Sequence, residues 1–132
     1  MSAEAIRPGL SGEMTEPVTE AVSARHIGSG DLRVYATPAM VALIERASVA
    51  LLAPLLPPGH STVGTGLSIR HLAPTPLGKT MRVRVEVVSV DGGRIGLRAE
   101  VWDEVEKVGE AEHQRAVIDV ARFMRRVESK RG

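Results

Sequence analysis

The sequence predicts an α+β domain in which one long apolar helix is wrapped by a curved antiparallel sheet. Residues 37–53 carry a strong helix signal that is apolar on almost every side. A surface helix would show a polar face, so this one needs other structure around it. Four later stretches alternate apolar and polar residues with the period of a strand. Turn-like connections between them favour antiparallel hairpins. At 132 residues the chain makes one domain, large enough to bury a core but too short for two.

Taken in order, residues 1–8 read as a loose tail. Residues 10–22 form a first strand, with Thr15, Val18, Thr19 and Val22 β-branched and Pro17 marking an edge or a bulge. Residues 23–33, with Gly28-Ser29-Gly30, read as a loop. Thr37 then suits the helix N-cap and Pro38 the first helical position. Pro54 and Pro57-Pro58-Gly59 stop the helix. Only Glu45, Arg46 and Ser48 interrupt its apolar character. At about 100° per residue Thr37, Val41 and Glu45 share a stripe, the two ends about 12 Å apart along the axis.

Residues 61–72 form the next strand, with Val63, Thr65, Leu67, Ile69 and His71 on one face and Gly64, Gly66, Ser68 and Arg70 on the other. Residues 73–78 are a loop. Residues 80–90 alternate most cleanly, Met81, Val83, Val85 and Val87 opposing Arg82, Arg84 and Glu86. Asp91-Gly92-Gly93 makes a turn. Residues 94–103 return with Ile95, Leu97, Ala99 and Val101 on one face, and residues 109–120 form the last strand. The pattern reads as strand, helix, then four strands in meander. Residues 121–132 hold five cations against Glu128 and read as a solvated tail, loose from 126 onward.

Composition narrows the functional classes. Charged residues make up 25% of the chain and the net charge is +1, so no dominant field invites nucleic acid. Tyr35, Trp102 and Phe123 are the only aromatics, too few to build a stacking platform for single strands. With no cysteine there is no disulfide framework and no thiolate nucleophile. Four scattered histidines with no helical i, i+4 pair give no metal signature. The N-terminus lacks a signal-peptide core, and the longest apolar run, residues 47–56, is too short to span a bilayer. The expectation is a soluble cytoplasmic protein without metal, membrane or nucleic-acid partner.

Glu45 is the first chemical clue. A lone carboxylate on a helix bound for the interior is costly without a partner or a task. It reads either as a structural ion pair or as a base, whose pKa burial would move toward neutrality. Thr37 needs no role beyond capping, and His71 on an apolar face could be an ordinary core histidine. Arg115 reads as an outward strand arginine or the ion-pair partner of Glu45. His113, on the same face, reads as structural or supporting; His26 and His60 read as solvated loop residues.

Several segments together carry a family resemblance. Val34-Tyr35-Ala36-Thr37 leads into the helix, with Glu45 eight residues on. Gly64-Thr65-Gly66 precedes His71, Thr75-Pro76 follows, and His113-Gln114-Arg115-Ala116-Val117-Ile118 lies in the last strand. Over residues 10–125 the chain resembles the hotdog-fold acyl-CoA thioesterases, and within them the fluoroacetyl-CoA thioesterase type. The resemblance implies a hotdog fold, a homodimer with sites at its interface, and an acyl-CoA substrate with no further cofactor. It makes Thr37, Glu45 and His71 the active-site set, with Gly64 and Arg115 against the substrate. Thr37 either attacks the thioester or orients a water, the second role being favoured. A binder of acyl thioesters or aliphatic ligands and an enoyl-thioester hydratase are the competing readings, the latter without its usual aspartate–histidine motif. One departure stands out. Residues 27–33 are short and carry no aromatic residue, where the fluoroacetyl-specific enzymes have a longer phenylalanine-bearing lid. That implies a more open pocket with broader acyl tolerance.

Overall fold

The computed structural model describes residues 5–132. Its elements are β1 (Ser11–Pro17), a 3-10 turn (Glu20–Val22), α1 (Ala24–Ile27), α2 (Thr37–Leu52), β2 (His60–His71), β3 (Thr80–Asp91), β4 (Arg94–Trp102), β5 (Lys107–Asp119) and α3 (Val120–Ser129). The five strands form one antiparallel sheet in the order β1-β3-β4-β5-β2. The sheet curls around α2, an α+β arrangement of two packed layers.

Alternation in β3 and β4 works as the sequence implies. Met81, Val83, Val85 and Val87 and their counterparts Ile95, Leu97, Ala99 and Val101 are buried against α2. From the helix, Ala39, Met40, Leu43, Ile44, Ala47 and Leu52 complete the core. Each such large side chain withdrawn from water contributes about 1.5–3 kcal/mol before entropy is counted. A 3-10 turn, Ala53–Leu55, prolongs the helix where Pro54 ends its ladder. The combined stretch, Thr37–Leu55, is long and apolar enough by length and composition to cross a bilayer. Here the sheet takes the place of lipid around its core-facing side.

Four expectations need correction. The strands after the helix are not one meander: β3, β4 and β5 are, but β2 pairs with β5 at the far edge. Residues 72–79, with two prolines, are too long and too stiff for a hairpin and carry the chain across to β3 beside β1. The first strand stops at Pro17, and residues 20–27 turn helically instead. At the N-terminal end, Ile6 is buried in the core; residues 1–4 of the expected tail lie outside the described residues. At the C-terminal end, residues 120–129 are helix α3 rather than a solvated tail, capped by Asp119, whose carboxylate accepts from the Arg122 N–H at 3.0 Å.

Gly109 shows how tightly α2 and the sheet meet. It lies opposite His71 in the ladder, and a Cβ there would collide with the buried Met40 Sδ. Gly109→Ala is therefore expected to cost about 1–3 kcal/mol by overpacking. Chemical denaturation measures this, and an unchanged midpoint would contradict the packing described.

Candidate active site

Backbone contacts fix the approach to α2. Tyr35 N–H donates to the Thr75 carbonyl at 2.9 Å and Ala36 N–H to that of Val22 at 3.0 Å, holding the segment from both sides. Buried Tyr35 donates its hydroxyl to Glu16 at 2.5 Å, and Arg46 donates to the other oxygen of the same carboxylate at 2.7 Å. Burial and the Glu16 carboxylate push the Tyr35 phenol far up, so it stays a donor. One carboxylate thus clamps the residue two before Thr37 and the residue after Glu45.

Thr37 is the first helical residue rather than the cap; Ala36 occupies the cap position and offers no side-chain bond. The hydroxyl is consequently free of the backbone and meets His71 Nδ1 at 2.8 Å. Burial holds the His71 imidazole below its ordinary pKa; the Ala73 carbonyl, near the ring but without a formed hydrogen bond to it, opposes this. Its other nitrogen, Nε2, is shielded from solvent and has no hydrogen-bond partner among the described residues. A shielded ring nitrogen without a partner is an unmet requirement.

Glu45, Gly64 and Arg115 assemble elsewhere along the same helix. The Arg115 side chain is only 5% exposed. Its Nε donates to Thr62 Oγ1 at 3.0 Å, Nη2 to the Thr62 carbonyl at 3.1 Å, and Nη1 to Glu45 Oε2 at 3.3 Å. The outward alternative for Arg115 is thereby excluded. Nη1 also reaches His113 Nε2 at 3.1 Å, while His113 Nδ1 meets the Gly66 carbonyl at 2.8 Å. Since guanidinium only donates, His113 accepts at Nε2 and donates from Nδ1, a neutral tautomer fixed by its neighbours. Burial lowers the His113 pKa, and the Arg115 charge adds to this.

Two expectations about this cluster change. Glu45 was expected in the interior, but its side chain is 44% exposed in the single chain. The face assignment along β2 also changes. A register shift between Gly64 and Gly66 leaves Thr65 unpaired in the ladder, so Thr62 and Gly64 share the inner side with Leu67, Ile69 and His71. At Gly64 the strand passes close to Glu45: a Cβ there would stand 2.6 Å from Oε2 and 3.3 Å from Arg115 Nη1.

The single chain therefore holds two separate clusters. Thr37 and His71 line an open cleft of about 340 Å³ with Tyr35 and Pro74. Glu45 and Arg115 line another, of about 520 Å³, walled by Met14, Val49 and Ala50. The two clefts share no lining residue. Sequence reading missed Thr62, Tyr35 and Glu16 as supports, because their partners are 53, 19 and 30 residues distant.

The family of fluoroacetyl-CoA-specific thioesterases matches residues 18–121. The fluoroacetyl-CoA thioesterase of Streptantibioticus cattleyicolor is 41% identical over 97 residues, covering 74% of this chain and 70% of that protein. A solved threonine-to-serine mutant of the fluoroacetyl-CoA thioesterase FlK, in complex with acetyl-CoA, superposes with a TM-score of 0.89 at 34% identity, covering 95% of this chain and 98% of the other. A phenylalanine-to-alanine mutant of FlK with fluoroacetate and CoA gives 0.85 at 35% identity, over 89% and 99% of the chains. A hot-dog-like protein from Thermanaerovibrio acidaminovorans, 24% identical with a TM-score of 0.91 over 98% and 96%, shares the fold.

The two lowered histidines give a stability prediction. Both favour the neutral ring in the folded chain, so the unfolded chain binds more protons below the ordinary histidine pKa of about 6.5. Their contribution is whole above that pH and is lost as pH falls through it. Calorimetry should show a lower Tm near pH ~5.5 than near pH ~7.5; an equal or higher Tm at the acid end would contradict the neutral assignment.

Proposed function

The chain belongs to the fluoroacetyl-CoA-specific thioesterase family and is a thioester hydrolase; on that premise we propose that it cleaves an acyl-CoA to the free acid and coenzyme A at a site completed by two copies of the chain. Thr37, His71 and Glu45 are the active-site set. The observation that carries this assignment is the 2.8 Å contact of Thr37 Oγ1 with His71 Nδ1 beside a shielded, unpartnered Nε2.

With Nε2 protonated, Nδ1 is the basic nitrogen and accepts from the Thr37 hydroxyl. That tautomer needs an acceptor at Nε2, which a carboxylate supplies. Glu45 of the same chain is about 12 Å away along the helix axis, so the partner subunit's Glu45 takes the role. Glu45 Oε2 is engaged by Arg115, while Oε1 makes no hydrogen bond among the described residues. Three features support a second copy at this face. The twelve-residue β2 has one edge outside the sheet, Glu45 is half exposed, and Val49 and Ala50, apolar residues of α2, are exposed.

In the reaction a water, oriented by Thr37, attacks the thioester carbonyl as it gives a proton to Thr37 Oγ1, whose own proton passes to His71 Nδ1. The tetrahedral intermediate collapses with cleavage of the C–S bond, and the imidazolium returns the proton to the departing thiolate. Oxyanion charge is met by the backbone N–H groups at the start of α2 or at Gly64. The cleft walled by Met14, Val49 and Ala50 receives the acyl group. With exposed Ile27 and Leu32 and no aromatic residue in residues 27–33, acyl groups other than fluoroacetyl also fit.

Purified protein assayed for free thiol against acetyl-, fluoroacetyl-, medium-chain and aromatic acyl-CoAs tests this directly. Glu45→Gln and His71→Ala should each lower kcat/KM by about 100-fold or more with the fold retained. Gly64→Ala should also impair turnover, because the added Cβ displaces the Glu45 carboxylate. His71 must be neutral to act as base, so kcat/KM should fall on the acid side as the ring takes up a proton. Thiol release unaffected by Glu45→Gln would remove Glu45 from the mechanism.

A further inference from the structure

The excess positive charge of this protein is concentrated in its C-terminal segment, α3 and the residues after it. From Asp119 onward five cations face two carboxylates, whereas the preceding residues carry twelve cations and fourteen carboxylates. Glu128 is occupied by Arg131 at 2.6 Å. Arg122, Arg125 and Arg126 make no ion pair among the described residues. Arg122 and Arg126, one helical turn apart, line an open pocket of about 360 Å³ floored by Val117, Ile118 and Phe123. Asp119 also lines it, and its carboxylate, held low by the α3 backbone N–H groups, offsets one of the two guanidiniums. Arg125 lies close enough to Asp119 to lower its pKa as well, so cations remain in excess.

We propose that this pocket binds the phosphorylated nucleotide end of the coenzyme A thioester, with Arg122 and Arg126 on the phosphates and the apolar floor under the base. The proposal rests on the thioesterase reading and adds where the carrier is held. Position supports it. Asp119 ends β5 four residues beyond Arg115, a reach of about 13 Å along an extended strand. The pantetheine arm between sulfur and phosphate has about as many skeletal bonds as four residues of backbone, so it spans the same interval when extended. Val120 N–H, bonded to the Gly59 carbonyl at 2.9 Å, ties the start of α3 to the start of β2, the strand that carries Gly64. A thioester carbonyl beside Gly64 thus leaves its phosphates at α3. Guanidinium suits phosphate because it presents paired donors in one plane.

The test is the double substitution Arg122→Gln, Arg126→Gln, which keeps residues of similar helix propensity, with circular dichroism to show that the fold is retained. Calorimetric binding of coenzyme A and of pantetheine is measured beside the kinetics of one acyl group carried on coenzyme A or on N-acetylcysteamine. The double variant should weaken coenzyme A binding and raise KM for the acyl-CoA by about tenfold, leaving kcat and the truncated thioester unmoved. Added salt should raise KM for the acyl-CoA more in the parent than in the variant. A parent that binds coenzyme A no better than pantetheine overturns the proposal. Equal losses on both thioesters, or none on either, overturn it too. If neither thioester is hydrolysed, the catalytic reading fails, and the calorimetric comparison still decides the phosphate site. The exposed residues Val120, Met124 and Val127 provide one more outcome. Anionic-vesicle binding lost in the variant, with coenzyme A binding unchanged, assigns the helix to a membrane surface and overturns the proposal.

Discussion

The packing of α2 into the concave face of the sheet sets the distances between all the chemically capable groups. Met40, Leu43 and Ile44 share one core cluster with the inner faces of β3 and β4, Met40 also lies against Gly109 of β5, and this packing fixes both the rotation and the axial position of the helix. A helix advances about 1.5 Å per residue and a strand about 3.3 Å. The eight residues from Thr37 to Glu45 therefore cover much less distance than the seven from Gly64 to His71. Pairing Thr37 with His71 at one end leaves Glu45 near Gly64 at the other. One chain can hold a hydroxyl–imidazole pair and a carboxylate–guanidinium pair, but the geometry of its own core keeps them apart.

Arg115 is the anchor of the second cluster. A buried guanidinium is tolerable only with its donors engaged. Thr62, His113 and Glu45 engage them from β2, β5 and α2. The arrangement depends on a missing atom: any side chain at position 64 would occupy the space of the Glu45 carboxylate. The bulge beside Gly64 then re-aims the rest of β2, bringing Leu67, Ile69 and His71 to the same inner side.

Much of this was legible in the sequence wherever one physical period dominated. The alternations of β3 and β4 and the apolar girth of α2 led directly to the core. Glu45 was legible as a carboxylate requiring a reason, and Thr37 and His71 through their similarity to known thioesterases. A simple period of two could not reveal the bulge at Thr65, because one extra residue inverts the faces after it. Pairing of β2 with β5 was hidden for a different reason: nothing local announces which edge a strand joins. The helical spacing of Val120, Phe123, Met124 and Val127 was present, but the density of arginines around it reads first as a tail. Thr37 was misplaced by one position because its hydroxyl serves His71 instead of the backbone.

Whether catalysis joins Thr37 and His71 of one chain to Glu45 of another is tested most directly by mixing two disabled variants. Thr37→Ala and Glu45→Gln proteins, each nearly inactive alone, are combined, dissociated and reassociated. Mixed dimers then contain one site with both residues intact and one with both altered. Recovery of thioesterase activity on mixing is the predicted result. Mixed dimers that form and stay as inactive as their parents would contradict it, each chain then holding its own complete set.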